Sequence, residues 1–158
     1  MDLVDIILRP LLAVIMGGVI GAERQLHRKA AGFRTHILVC VGSTLMMLVA
    51  IFIYYSFKEE TNIDPGRIVG HVISGIGFLG AGTIIVSRGS IRGLTTAATL
   101  WATAAVGLAI GCGFYLGALV TTIIIILSLI CLETFEEKFL FKKRKEYLED
   151  ETQISLTS

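Results

Sequence analysis

The stretch THILVCVGSTLMMLVAIFIYYSF, Thr35–Phe57, contains 23 residues and no Asp, Glu, Lys or Arg. A helix of about 20 apolar residues crosses the ~30 Å hydrocarbon core of a bilayer. Four more apolar runs of comparable length are Leu3–Ala22, Arg67–Val86, Leu94–Gly111 and Phe114–Leu132. A soluble bundle would carry polar stripes along its helices, and these runs mostly lack them. The sequence therefore predicts an all-α polytopic membrane helix bundle with five transmembrane helices.

The composition indicates one compact membrane domain. Apolar residues make up 54% of the 158 residues and charged residues 17%, and most of the charge lies outside the apolar runs. A net charge of +1 argues against nucleic acid as a partner. Cys40, Cys112 and Cys131 lie inside apolar runs without disulfide or metal-ligand spacing. We expect a transmembrane domain over residues 1–132 and a short cytoplasmic tail, amphipathic and then disordered, over residues 133–158.

The basic residues predict the orientation of the chain. With five spans, eleven basic residues fall on one side of the membrane: Arg24, Arg28, Lys29, Arg34, Arg88, Arg92, Lys138, Lys142, Lys143, Arg144 and Lys145. Three fall on the other side: Arg9, Lys58 and Arg67. Because Lys and Arg concentrate in cytoplasmic loops, we expect the N-terminus outside and the C-terminus in the cytoplasm.

Small residues recur at helical spacing inside several runs. Six glycines are predicted to bring helices into close contact: Gly17, Gly21, Gly70, Gly77, Gly80 and Gly82. One face of the third run consists of Gly70, Ser74, Gly77 and Ala81. This face predicts that the third helix lies at the centre of the bundle. The density of glycine there would also suit a kinked helix that lines a cavity, and that alternative stays open.

Polar side chains inside the runs are functional candidates because charge at membrane depth is costly. The candidates are Asp5, Arg9, Arg67, His71, Ser74, Thr99 and Thr103. Asp5 and Arg9 are four residues apart, so they can form an ion pair near the outer surface. Thr96, Thr99 and Thr103 form a stripe of hydroxyls on the fourth helix. A structural role explains this stripe at least as well, because threonine can hydrogen-bond to its own helix backbone.

A second group of polar residues is predicted to meet at the cytoplasmic mouth of the bundle. Its members are Glu23, Arg24, Arg34, Thr35, His36, Arg92, Thr95 and Thr96. Glu23 is expected to pair with Arg34 across the short loop between the first two helices. One carboxylate among several cations and hydroxyls suits an anionic headgroup, a nucleotide phosphate or a gating ion pair better than a bare Mg²⁺ ion. The alternative is a set of interfacial anchors that orient the helices.

Four segments within these regions resemble the MgtC/SapB family. They are Gly21-Ala-Glu-Arg24, Gly32-Phe-Arg-Thr-His36, Ser74-Gly-Ile-Gly-Phe-Leu-Gly-Ala-Gly82 and Arg92-Gly-Leu-Thr-Thr-Ala-Ala98, the last followed by Trp101. The resemblance runs in order from about Arg9 to Gly117. It implies a multi-pass bacterial plasma-membrane protein associated with magnesium limitation and, in pathogens, with survival inside host cells. Family members have been regarded as magnesium transporters and as modulators of the F-type ATP synthase. Longer members carry a soluble C-terminal domain, where this chain has the short tail, and His71 replaces an uncharged polar residue of many members.

Two classes of function follow from the residues and the resemblance. The first is a regulatory membrane protein that acts on ion balance or on a membrane partner such as the F-type ATP synthase. The second is a transporter or channel for Mg²⁺ or another ion. A magnesium site favours carboxylates, and the membrane runs supply only Asp5 and Glu23, at opposite ends of one helix, so we favour the first class.

An enzyme is the least expected class, because no nucleophile–base pair or metal-ligand cluster appears. We expect no cofactor, and the sequence identifies no set of metal ligands. The expected partners are the lipid bilayer, a second copy in a homodimer and another membrane protein. Nucleic acid is not expected.

Overall fold

The computed structural model describes residues 3–58, 64–87 and 89–131. Five helices make up most of this part of the chain: α1 (Leu3–Leu26), α2 (Phe33–Phe57), α3 (Pro65–Ala81), α4 (Leu94–Gly111) and α5 (Tyr115–Cys131). A two-stranded antiparallel hairpin, β1 (Ile85–Ser87) and β2 (Ser90–Arg92), connects α3 to α4. By length and composition α1, α2 and α4 can each cross a membrane, and α5 is a shorter apolar helix. The predicted all-α membrane bundle is confirmed.

The chain divides into two compact units, residues 1–125 and residues 126–158. The first unit contains α1 to α4, the hairpin and most of α5. In the second unit the structure describes only the end of α5, to Cys131. The predicted amphipathic and disordered tail, residues 133–158, lies outside the described residues.

The third apolar run folds differently from its prediction. It was expected to be one helix over Arg67–Val86, but α3 ends at Ala81 and residues 85–92 form the hairpin. The Thr83 hydroxyl donates to the Gly80 carbonyl, which helps to close the last turn of α3. Gly82, predicted to pack helices, is the C-terminal cap of α3, and its N–H donates to Phe78 and Gly80 carbonyls. The β-branched residues that follow suit a strand better than a helix end.

The first four helices pack through α2 and α4. Gly107 on α4 lies so close to α2 that a Cβ there would be 2.3 Å from the Cys40 carbonyl oxygen. The Thr44 hydroxyl of α2 donates to the Gly107 carbonyl over 2.8 Å. Gly17 on α1 lies similarly close to α2, since a Cβ there would be 2.8 Å from the Cys40 Cβ. At these glycines the helix backbones contact each other directly, as they do at small residues in other membrane helix bundles.

The outer surface of this unit is apolar. Leu38 and Phe52 on α2 are 71% and 60% exposed, and Leu116 on α5 is 71% exposed. In water such a surface would be a large hydrophobic patch, whereas in a bilayer it contacts lipid. This pattern is therefore that of a protein whose solvent is the membrane.

The small-residue face of α3 does not lie at the centre of the bundle, so that prediction is wrong. α3 packs on α2 and α4, and a Cβ added to Gly80 would lie 3.5 Å from the Ala97 Cβ, which is an ordinary contact distance. Gly70 and Gly77 have nothing within 4 Å of an added Cβ. Spacing identified a face of small residues, but it could not tell whether that face meets another helix of the same chain. The central place belongs to α4, where more than half of the residues are buried.

Candidate functional site

A buried ion pair occupies the end of α1 that leads into the α1–α2 loop. Glu23 is 7% exposed and Arg24 is 1% exposed. The Arg24 Nη2 donates to Glu23 Oε1 over 2.6 Å, and its Nε donates to Glu23 Oε2. His27 Nδ1 lies 3.1 Å from the same carboxylate. A bidentate guanidinium–carboxylate pair is a strong, directional contact, so the side chains of Glu23 and Arg24 hold each other in place.

His36 lies in the contact between α1 and α2, beside Gly21 of α1. α1 comes close because Gly21 has no side chain: a Cβ there would be 2.7 Å from Phe33 Cα and 3.0 Å from His36 Cβ. The imidazole is fully buried, and its Nδ1 lies 2.9 Å from the Gly32 carbonyl oxygen. Its Nε2 has no hydrogen-bond partner among the described residues. The predicted polar cluster therefore has a buried part.

Arg34 and Thr35 lie apart from that buried part. Both side chains are exposed, and the carboxylate of Glu23 faces Arg24 and His27, so the predicted Glu23–Arg34 pair does not form. The reason is local, because the adjacent guanidinium reaches both carboxylate oxygens without crossing the loop. Arg34 and Thr35 instead line an apolar groove of about 700 Å³ between α2 and α3, together with His71.

The remaining members of the predicted cluster line a separate pocket, which we call the basic pocket. Arg92 faces it from the end of β2, Thr95 and Thr96 face it from the start of α4, and Arg28 and Lys29 face it from the α1–α2 loop. Its volume is about 560 Å³. Sequence reasoning used Arg28 and Lys29 only for orientation and did not place them in a site. The pocket shows that the α1–α2 loop and the β2–α4 junction meet at one end of the first unit.

Arg9 connects α1 to the turn between α4 and α5. The structure places its Nη2 3.2 Å from Asp5, as the four-residue spacing predicted. The same guanidinium donates to the Gly111 carbonyl over 2.7 Å and to the Tyr115 hydroxyl over 3.1 Å. This network joins the start of one helix to the end of another, so α1 and α4 run in opposite directions, as alternating membrane spans do.

The other polar candidates have separate environments. Thr99 donates to the carbonyls of Thr95 and Thr96, and Thr103 donates to the Thr99 carbonyl. These two hydroxyls are satisfied by their own helix, which fits the structural alternative. On α3, Arg67 and Ser74 are exposed. Within residues 3–58, 64–87 and 89–131, no group of three or more His, Cys, Asp or Glu side chains could hold a metal ion.

A bundle of apolar helices with paired charges inside and an apolar outer surface is the architecture of a multi-pass membrane protein. The MgtC family model matches residues 11–138, and the chain belongs to this family. The resemblance drawn from the sequence motifs is thereby confirmed. No solved structure matches the chain.

Three relatives illustrate the family. YhiD of Escherichia coli K12, whose name proposes a magnesium transporter, is 40% identical over 148 residues, covering 90% of this chain and 66% of YhiD. Protein MgtC of Salmonella typhimurium LT2 is 45% identical over 126 residues, or 80% of this chain and 52% of MgtC. An uncharacterized Haemophilus influenzae protein is 43% identical over 123 residues, or 75% and 52%. The chain thus spans about half to two thirds of the length of these relatives.

The family match and the apolar helices identify a membrane protein of the MgtC family. Of these three relatives, YhiD is the one whose name refers to magnesium. None of the three relatives is named for a chemical reaction.

Proposed function

We propose that the chain is a regulatory protein of the bacterial inner membrane that acts during magnesium limitation. It acts by altering ion balance or the activity of a membrane partner, and the F-type ATP synthase is the partner that the family resemblance implies. The observation that carries this proposal is the state of the carboxylates. The described helices contain two, Asp5 and Glu23, and each is ion-paired with an arginine of the same helix.

These arginines disfavour a path for Mg²⁺ through one copy of the chain. Mg²⁺ takes oxygen ligands in octahedral geometry and retains several waters. Here a guanidinium already occupies each carboxylate, and its positive charge repels a divalent cation. Glu23 also lies 18 positions after Asp5 on α1, which is about 27 Å along a helix. Two carboxylates so placed cannot hold one ion together.

A transporter is the second candidate, and the name given to YhiD favours it. Since each carboxylate of this chain is engaged within its own helix, the path would have to form elsewhere, for example between two copies in a homodimer. Flux measurements separate the two candidates. We expect liposomes that contain the purified chain and a fluorescent Mg²⁺ indicator to take up Mg²⁺ no faster than empty liposomes. Uptake that rises with the amount of protein would overturn the regulatory proposal.

A growth test addresses the regulatory role directly. In a strain that depends on this chain for growth in low magnesium, Glu23→Gln should impair growth, because it removes the carboxylate that orients Arg24. Lys58→Gln is the matched control, since Lys58 is an exposed charge at the end of α2. Inverted membrane vesicles from these strains measure ATP-driven proton pumping. Vesicles that contain a functional chain should pump protons more slowly than vesicles from the Glu23→Gln strain. Equal pumping in all strains would exclude the ATP synthase as the partner.

A further inference from the structure

The basic pocket concentrates positive charge from two distant parts of the sequence. Arg28 and Lys29 come from the α1–α2 loop, and Arg92 comes from the last position of β2. None of the described residues that line the pocket is acidic. Neither Arg28 nor Arg92 has an ion-pair partner among the described residues. The positive charge of these two arginines favours an anion in the pocket.

The first turn of α4 adds backbone donors to this charge. Its N-cap is Gly93, and no side chain caps the helix there. The first N–H groups of a helix have no intrahelical acceptor, and they carry the positive end of the helix dipole. Gly93 has φ 91°, and a Cβ on it would lie 1.9 Å from the Thr83 carbonyl oxygen. Only glycine fits at this point, and the tight fit fixes the helix start beside the pocket.

A threonine hydroxyl in the wall of the pocket adds one more hydrogen-bond donor. Thr96 lines the pocket and is 4% exposed. Thr99 and Thr103 donate their hydroxyls to carbonyls of α4, but the Thr96 hydroxyl makes no hydrogen bond within the described residues. The buried side-chain atoms that lack a hydrogen-bond partner among the described residues are His36 Nε2 and Ser43 Oγ, so the Thr96 hydroxyl is accessible and can donate to a group bound in the pocket.

Arg28 has a backbone conformation that glycine would adopt more easily. Its φ of 52° lies in the left-handed region. The N–H of Arg28 donates to the Gln25 carbonyl and that of Lys29 to the Arg24 carbonyl, which is the hydrogen-bond pattern of a Schellman motif. Glycine is the usual residue at this position of the motif because it has no Cβ. An arginine there is a local conflict, and such conflicts concentrate at functional sites.

We propose that the basic pocket binds a phosphate group. A phosphate offers several acceptor oxygens, which suit two guanidinium groups, a hydroxyl and the N-terminal N–H groups of a helix. The phosphate comes either from the headgroup of an anionic lipid or from a soluble phosphate compound. This proposal is independent of the regulatory role, because binding is measured on the purified chain without its partner.

Two probes distinguish the sources. The full chain, purified in a neutral detergent, is titrated with inorganic phosphate against sodium chloride of equal ionic strength, and the melting temperature is followed. In parallel, bilayer nanodiscs of phosphatidylcholine with one fifth phosphatidylglycerol are prepared, and retained lipid is counted by native mass spectrometry. A rise in melting temperature with phosphate identifies a soluble source. Retained phosphatidylglycerol without such a rise identifies a lipid source. If phosphate does not raise the melting temperature and no phosphatidylglycerol is retained, the proposal is refuted.

Variants test the residues for whichever probe binds. Arg92→Gln should weaken binding about 10- to 100-fold, the effect of losing a charged hydrogen bond. Arg28→Gly should also weaken binding while raising the melting temperature, because it relieves the left-handed backbone conformation of Arg28. Thr96→Val should weaken binding with little change in melting temperature, because it removes one accessible donor. A merely structural role would produce the rise in melting temperature without loss of binding. The matched control is Arg34→Gln, an exposed arginine outside the pocket, which should change binding by less than about twofold.

Two results would overturn the assignment to this pocket. One is an equal loss of binding in Arg92→Gln and Arg34→Gln, which would indicate general surface charge. The other is unchanged binding in the double variant that combines Arg28→Gly with Arg92→Gln. Since Arg28→Gly should not weaken the fold, loss of folding cannot explain away its result.

Discussion

Gly107→Ala tests the closest helix contact of the bundle with the smallest change. A Cβ at Gly107 would lie 2.3 Å from the Cys40 carbonyl oxygen and 2.9 Å from the Ser43 Cβ. Both atoms belong to α2, and the oxygen is backbone, so no side-chain rotation can relieve the clash. The helices must move apart by about 1 Å, and a gap of that size forfeits up to half of the dispersion energy of the atoms it separates.

The magnitude follows from two effects. Overpacking a close contact costs typically 1–3 kcal/mol. Separation also weakens the hydrogen bond from Thr44 to the Gly107 carbonyl, and such bonds in membrane proteins contribute about 0.6–1.7 kcal/mol. We therefore expect Gly107→Ala to lower the free energy of unfolding by roughly 2–4 kcal/mol.

Unfolding by sodium dodecyl sulfate in mixed micelles, followed by the fluorescence of Trp101, measures this change. The matched control is Gly77→Ala, which makes the same substitution where nothing lies within 4 Å. That variant should change stability by less than about 0.5 kcal/mol. The reverse result, a stable Gly107→Ala and a destabilised Gly77→Ala, would contradict the packing of α2 on α4. It would indicate that α3 lies at the centre of the bundle or in a dimer contact.

Three further predictions concern the polar network and the orientation. Glu23→Gln should lower the free energy of unfolding by roughly 1.5–3 kcal/mol, because an amide replaces the charged acceptor of Arg24; wild-type stability would contradict the buried ion pair. Arg9→Leu should destabilise the chain more than Tyr115→Phe, since the arginine donates both to that hydroxyl and to a backbone carbonyl of α4; equal losses in thermal unfolding would contradict this network. A membrane-impermeant maleimide should label the exposed native Cys112 in intact cells but not a Cys112→Ser variant, whereas labelling only after lysis would reverse the predicted orientation.

Much of the fold could be predicted because the membrane restricts what apolar runs can do. A run long enough to cross the bilayer becomes a helix, since only then are all of its backbone groups satisfied internally. The fourth run, Leu94–Gly111, coincides with α4. The hairpin could not be foreseen, because Ile85 and Val86 are apolar and extend the hydropathy of α3. Composition alone does not separate a short strand from a helix end.

The site was predictable only where the contact is local. The Asp5–Arg9 pair follows from helical spacing, and the structure places the two charges 3.2 Å apart. The Glu23–Arg34 pair depended on the path of a loop, and Arg24 engages the carboxylate instead. The approach of Arg28 to Arg92 is tertiary, since 63 residues separate them in the sequence. The distribution of basic residues predicts which loops lie on the same side of the membrane. It does not predict which side chains line the same pocket.

The placement of charge distinguishes the interior of this protein from its ends. Within the described helices the two carboxylates are matched by arginines of the same helix, and two of the threonine hydroxyls of α4 bond to their own backbone. At the basic pocket, by contrast, Arg28 and Arg92 have no ion-pair partner among the described residues. Paired charges stabilise the bundle, whereas the unpaired arginines at the pocket are available to bind a ligand. Recognition at one end therefore agrees better with this chain than movement of an ion through its centre.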